Sequence, residues 1–189
     1  MNQTICFIGG GNMASSLIGG MLANGIAAEN IIACDISTEA LKTLEEHFSI
    51  RTSTDSPGAV NQADIIVLAV KPNAMQTVCE QLAEIEQSAD KLFISIAAGV
   101  HESDINRWLG GSRSIVRCMP NTPALLQLGA TGLYANPQTS DTQKQIAQTI
   151  LDAVGITVWV DEELLLDAVT AISGSGPAYF FYFIELLQA

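Results

Sequence analysis

The chain has 189 residues, of which 48% are hydrophobic and 15% charged, and it carries a formal net charge of −12. That length and apolar content suit one sizeable domain, or one domain and part of another, and exclude a disordered chain. The acidity argues against nucleic acid and anionic membranes as partners, because a negative surface repels both.

The amino terminus, MNQTICFIGGG, has neither a basic region nor a long apolar stretch, so no targeting segment is expected. The first predicted strand, TICFI (4–8), runs into GGGNMA and a helix over 13–24. Met13, Leu17, Met21, Ile18 and Leu22 fall on one stripe of that helix, and Asn24-Gly25 is its stop. Strand NIIACD (30–35), helix TEALKTLEEHF (38–48), strand DIIVLAV (64–70), helix AMQTVCEQLAEI (74–85), strand KLFISI (91–96), helix ESDINRWL (102–109) and strand RSIVRCM (113–119) follow. IIVLAV (65–70), the longest purely apolar run within the chain, is too short to span a bilayer. Strands that are apolar throughout, separated by helices, predict a doubly wound α/β fold with a mostly parallel sheet covered on both faces. A strand–helix–strand set comes next, GATGLYA (129–135), DTQKQIAQTILDAV (141–154) and ITVWV (156–160). DEELLLDAVTAI (161–172) reads as a helix, and from Pro177 the chain ends in a helix that is apolar nearly all round. Such a helix needs a cover.

GGGNMA (9–14) is a G-x-G-x-x-A pattern between a strand and a helix. Gly9 permits a tight turn, Gly11 lets the backbone approach a pyrophosphate, and Ala14 lets helix and strand pack closely. The free N–H groups and dipole of a helix start favour the anion. The expected cofactor contacts here are Ile8, Gly9, Gly10, Gly11, Asn12, Met13 and Ala14. Asp35 closes the second strand. It either accepts hydrogen bonds from the ribose hydroxyls of NAD, repelling the extra phosphate of NADP, or caps the next helix beside Ser37 and Thr38. The next cation along the chain is Lys42.

The four cysteines, Cys6, Cys34, Cys79 and Cys118, are widely spaced with no C-x-x-C pair, so no metal site is expected. Cys6 and Cys34 lie in apolar runs where buried free thiols are common, which suggests a reducing, cytoplasmic compartment. His47 lies in a Glu-rich helix and His101 opens another; neither is assigned a catalytic role.

FIGGGNMA (7–14), LAVKP (68–72), SIAAGV (95–100), RCMPNTP (117–123) and ISGSGPAY (172–179) together resemble pyrroline-5-carboxylate reductase, the last enzyme of proline biosynthesis. They occur in that family's order over essentially the whole chain. The resemblance implies a Rossmann-like dinucleotide domain over 1–160 and the start of a helical dimerisation and substrate domain over 161–189. It implies reduction of 1-pyrroline-5-carboxylate to proline with NADPH or NADH, in a homodimer or higher homo-oligomer.

By the same resemblance Ala69, Val70, Lys71 and Pro72 line the dinucleotide, Ala97 and Ala98 leave room for the nicotinamide, and Ser56 stands where the family often has Asn. Asn121 and Thr122 face the reacting carbon, and Ser175 and Gly176 lie near the substrate. The bland alternatives are a solvated strand-end lysine at 71, close packing at 97–99 and a rigid turn at 120–123. No catalytic residue is assigned, because an iminium carbon accepts hydride without a strong acid.

Asp35 with no cation beside it suggests weak discrimination between the cofactors, leaning to NADH. Family members continue into a further helical domain, so this chain reads as a fragment or a truncated gene, inactive or nearly so by itself. The rivals are a 3-hydroxyacid dehydrogenase, whose catalytic Lys has no counterpart after GSGPAY, and a nucleotide-binding module without turnover.

Overall fold

A computed structural model of the protein describes residues 2–85 and 90–188. Its strands form one sheet: β1 (Ile5–Ile8), β2 (Ile31–Cys34), β3 (Arg51–Ser53), β4 (Ile65–Leu68), β5 (Leu92–Ser95), β6 (Ser114–Met119), β7 (Gly129–Ala135) and β8 (Gly155–Trp159). The order across the sheet is β3-β2-β1-β4-β5-β6-β7-β8. Every neighbouring pair is parallel except β6 and β7. The link between those two holds only a short 3-10 turn, Thr122–Leu126, and with no crossover helix to carry the chain back, β7 must run antiparallel. This is the doubly wound, mostly parallel sheet that the alternating apolar runs predict.

Strand alternation divides the core. Ile5 and Phe7 of β1 point to one face, packed with Leu17, Ile18 and Met21 of α1 (Asn12–Ala23), Leu41 and Leu44 of α2 (Thr38–Phe48), and Ile150 and Leu151 of α6 (Asp141–Asp152). Cys6 and Ile8 point to the other, against Ala59 and Val60 of α3 (Ser56–Gln62), Met75, Cys79 and Leu82 of α4 (Met75–Ala83), and Ile105 of α5 (Glu102–Trp108). With both faces covered, each strand of the sheet's centre can be apolar throughout.

Three differences from the sequence expectation have local causes. β3 and α3 escape the pattern because β3 is a short, partly exposed edge strand, RTS, and α3 starts on a local cap in which Asp55 accepts the Gly58 N–H at 3.2 Å. The segment expected as one helix over 161–172 is helical as α7 only over Leu165–Val169, then widens into a π-turn over Thr170–Gly174. Ahead of the helix Glu163 pairs with Arg117, and in the π-turn the Ser175 N–H donates to the Thr170 carbonyl at 2.9 Å. Finally, Asn30, Asp35, Ala69 and Val70 lie outside their strands, which places the last three in loops. The terminal apolar helix is α8 (Gly176–Gln188), and none of its residues is buried; the last residue of the expected helix, 189, lies outside the described residues. No helix among the described residues is long and apolar enough to cross a membrane.

Candidate functional site

β1 and β4 are neighbours, yet the chain leaves β1 toward β2 and leaves β4 toward β5, on opposite sides. That reversal opens a crevice beyond the strands' carboxyl ends, where doubly wound sheets bind ligands. The glycine turn and the loop at 69–72 form its walls. Gly9 adopts φ +106°, and a Cβ there would lie 2.6 Å from the Ala69 carbonyl oxygen and 3.0 Å from the Val70 nitrogen. The Ala69 N–H donates to the Ile8 carbonyl at 2.8 Å, and the Gly9 N–H to the Cys34 carbonyl at 2.7 Å. Glycine is therefore required at position 9 by close approach of two loops, more than by the turn alone.

Gly11 is different. It is the N-cap of α1 at φ −76° and ψ −175°, a conformation open to any residue, and a Cβ there would meet nothing within 4 Å. No side chain caps the helix and its first turn has no acidic residue, so the free N–H groups and positive dipole end face open space. Those are the features of a phosphate cradle that a Cβ would fill. Ala14, 1% exposed, sits where a larger side chain would separate helix from sheet. Asn12 is exposed and Met13 half-buried.

Beside the turn lies a cleft of about 340 Å³ lined by Ile8, Gly9, Cys34, Asp35, Ile36, Ser56, Pro57, Val70, by Val78, Gln81 and Leu82 of α4, and by Ala74, Glu84 and Ile85 at its two ends. Five of the expected cofactor residues thus come together, from four separate stretches of chain. Asp35 Oδ2 accepts the Gly10 N–H at 2.7 Å and Oδ1 accepts the Ser37 N–H at 2.8 Å. The helix cap is Ser37, whose hydroxyl accepts the Ala40 N–H, so Asp35 bridges the glycine turn and the start of α2 without capping either. Lys71 is exposed at the crevice rim, followed by Pro72 in a 3-10 turn. Ala97 is buried, Ala98 is exposed, and Gly99 turns the chain at φ +72°.

Of the residues expected near the substrate, Asn121 bonds to the SGSG stretch that also holds Ser175 and Gly176. The Asn121 carboxamide donates to the Ser173 carbonyl at 3.2 Å and its hydroxyl at 3.0 Å, and accepts the Ala130 N–H at 2.9 Å. Asn121 is therefore a strap between the loop after β6, the start of β7 and the SGSG turn. Thr122 is exposed, and Ser175 and Gly176 are half-buried at the start of α8. Ser173, inside the quoted motif but not singled out from sequence, is the partner that makes this junction.

A polar cluster has a weaker sequence signal. Arg117, 3% exposed in an apolar strand, donates from Nη1 to Glu163 Oε1 at 2.8 Å. The same oxygen accepts the Glu102 N–H at 2.6 Å, and Glu163 Oε2 lies 3.7 Å from His101 Nδ1. Asn136, 1% exposed, donates to Glu102 and to the Arg113 carbonyl. Desolvation, then the charges of Glu102 and Glu163, raise the Tyr134 phenol above its ordinary range. A lone arginine in SIVRCM requires a buried partner, but nothing local says it is Glu163. His47 stands on an exposed helix face. The four cysteines are free and buried. Burial holds the Cys79 thiol up at about 12, and the hydrogen bond shared with Cys34, then burial, raises Cys6. Among the described residues no group of three or more His, Cys, Asp or Glu is placed to hold a metal ion.

Residues 4–99 match the family described as NADP oxidoreductase coenzyme F420-dependent, and residues 163–189 match the family described as pyrroline-5-carboxylate reductase dimerisation. A pyrroline-5-carboxylate reductase of Pseudomonas aeruginosa is 50% identical over 183 residues, covering 97% of this chain and 67% of that protein. A solved pyrroline-5-carboxylate reductase of Coxiella burnetii superposes with a TM-score of 0.94 at 42% identity, over 100% of this chain and 70% of that one. The pyrroline carboxylate reductase of Plasmodium falciparum, solved with NADP bound, gives 0.86 at 33% identity over 98% and 68%.

Proposed function

This chain belongs to the pyrroline-5-carboxylate reductase family, and on that premise we propose that it binds a reduced nicotinamide dinucleotide in the crevice between β1 and β4. The reaction is the NAD(P)H-dependent reduction of 1-pyrroline-5-carboxylate to proline. The observation that carries the site is the contrast at the glycine turn: Gly9 is packed against Ala69, whereas Gly11 faces empty space at an uncapped helix start.

The bound cofactor supplies the hydride that the C=N carbon accepts. The chain's own residues bind, orient and exclude water. The N–H groups opening α1 hold the pyrophosphate. Asp35, Ser56 and Val70 hold the adenosine end, and the loop from Ala69 to Pro72, with Lys71, borders the phosphates. Ala97 and Ala98 leave a flat, small-sided space for the nicotinamide. The Asn121–Ser173 junction fixes Thr122, Ser175 and Gly176 around the position of the reacting carbon. No side chain in this set needs to donate a proton during hydride transfer, because the iminium nitrogen already carries one.

We assign residues 1–160 to the dinucleotide domain and 161–189 to a helical substrate and dimerisation segment. α8 is its association surface: Tyr179, Phe180, Phe181, Tyr182, Phe183, Leu186 and Leu187 are each more than half exposed, and a second copy of the chain covers them. The free cysteines fit a reducing cytoplasm. The test is oxidation of NADH and NADPH with 1-pyrroline-5-carboxylate present, followed by absorbance, with proline measured as product. Cofactor binding without any proline would support the non-catalytic module in its place.

A further inference from the structure

We infer that Cys6 and Cys34 form a thiol pair that a hydroperoxide oxidises to a disulfide, and that this bond weakens dinucleotide binding. The effect on binding rests on the reading that the β1–β4 crevice holds the cofactor; the thiol pair does not. β1 and β2 are parallel neighbours in which Cys6 stands beside Ile32 and Cys34 beside Ile8. The two cysteines are therefore diagonal neighbours on one face of the sheet, and their Sγ atoms lie 3.9 Å apart. They differ in access. Cys6 is fully buried, whereas Cys34, though only 1% exposed, belongs to the wall of the cleft beside the glycine turn, where a molecule as small as a peroxide reaches it.

The hydrogen bond shared with Cys6 lowers the Cys34 thiol below its ordinary range, over the opposing effect of burial, and one with Ser56 adds to it. The same shared bond, then burial, raises Cys6. Cys34 is thus the first nucleophile, as its thiolate. Its sulfur attacks one peroxide oxygen: an S–O bond forms, the O–O bond breaks, and the other oxygen leaves with a proton as water or an alcohol. Cys6 then attacks the sulfenic sulfur: the S–S bond forms, the S–O bond breaks, and the hydroxide leaves as water with the Cys6 proton. Two thiols are oxidised and one peroxide is reduced. Burial raises Cys79 and Cys118, which keeps those thiols protonated and inert.

Closure brings the sulfurs from 3.9 Å to about 2.05 Å. Diagonal neighbours on a sheet stand at the far edge of disulfide reach, so the end of β2 must move toward β1. That end holds the glycine turn: the Cys34 carbonyl accepts the Gly9 N–H at 2.7 Å, and Asp35 accepts the Gly10 N–H at 2.7 Å. A dinucleotide lying in the cleft covers Cys34 in turn, so ligand and disulfide oppose each other reciprocally.

The test treats the full chain with hydrogen peroxide, alkylates it in denaturant and cleaves it after Glu29, which lies between the two cysteines. A linked pair of peptides holding Cys6 and Cys34 is expected, with Cys79 and Cys118 alkylated, and reduced dinucleotide present during the treatment should slow the linkage. Isothermal titration should show binding weakened at least about fivefold by oxidation, the low end of coupling between two sites, and restored by dithiothreitol. Cys6→Ala should form no linked peptide and, when reduced, bind as tightly as the unaltered chain. No linked peptide from the unaltered chain, or linkage through Cys79 or Cys118, overturns the thiol pair. A linked pair with unchanged affinity overturns its effect on binding. A reduced chain that binds neither NADH nor NADPH overturns the dinucleotide reading and that effect together, while the linked peptide still supports the pair.

Discussion

Gly9 and Gly11 belong to one motif but are under different constraints, so the same substitution should give opposite results. Gly9→Ala places a Cβ 2.6 Å from the Ala69 carbonyl oxygen where ordinary contact begins at 3.4 Å, so two backbone segments must separate by about 0.8 Å. That movement strains the 2.7 and 2.8 Å hydrogen bonds on either side of the turn, each worth about 1 kcal/mol. A positive φ on a non-glycine residue adds about 1–3 kcal/mol. The expected loss of stability is about 3 kcal/mol.

Gly11→Ala meets nothing within 4 Å and keeps an allowed φ. Its cost to folding is at most about 1 kcal/mol, from a poorer N-cap. Its effect falls on binding, since the new methyl occupies the space of the pyrophosphate. Loss of one charge-assisted hydrogen bond weakens the dissociation constant by about tenfold to a hundredfold. Urea unfolding measures the first effect and titration with reduced dinucleotide the second. Unchanged affinity in a folded Gly11→Ala chain, or equal destabilisation by both variants, would refute the reasoning.

Glu163→Ala leaves Arg117 buried without its partner, and at a site where the glutamate is 19% exposed the expected loss is about 2–3 kcal/mol; urea midpoints check it, and a change under about 0.5 kcal/mol would count against a structural role. Stability should fall on the alkaline side. The folded chain keeps the Cys79 proton up to about 12 while the unfolded chain releases it above about 9, so this contribution is complete below pH 9 and lost as pH rises toward 12. A flat melting temperature from pH 8.5 to 10.5, or one unaffected by Cys79→Ala, would contradict that assignment. A Phe180→Asp, Phe183→Asp double variant should lower the mass seen by light scattering, because each large apolar side chain gains about 1.5–3 kcal/mol on full burial. A native chain already monomeric at high concentration would remove α8 as an association surface.

The parallel sheet was legible in the sequence because local pattern determines it. An all-apolar run such as IIVL is stable only where both faces are covered, and helical periods between such runs leave a wound sheet as the packing solution. The glycine turn was legible for the same reason, since a strand, three glycines and a helix start are contiguous. Short elements were not: β3 and α3 carry too few residues to show a period, and they are held by an edge pairing and a local cap.

Contacts between distant stretches were decided only by the fold. Sequence left Asp35 divided between ribose ligand and helix cap; the tertiary structure points its carboxylate at Gly10 across the turn, because parallel pairing of β1 with β2 aligns the ends of the two strands. It likewise joined Arg117 to Glu163 and Asn121 to Ser173. A buried charge or amide announces that it needs a partner, but the partner's identity depends on which strands and loops the topology brings side by side. Periodicity is a property of neighbours along the chain, and hydrogen-bond pairing here is a property of neighbours across the sheet.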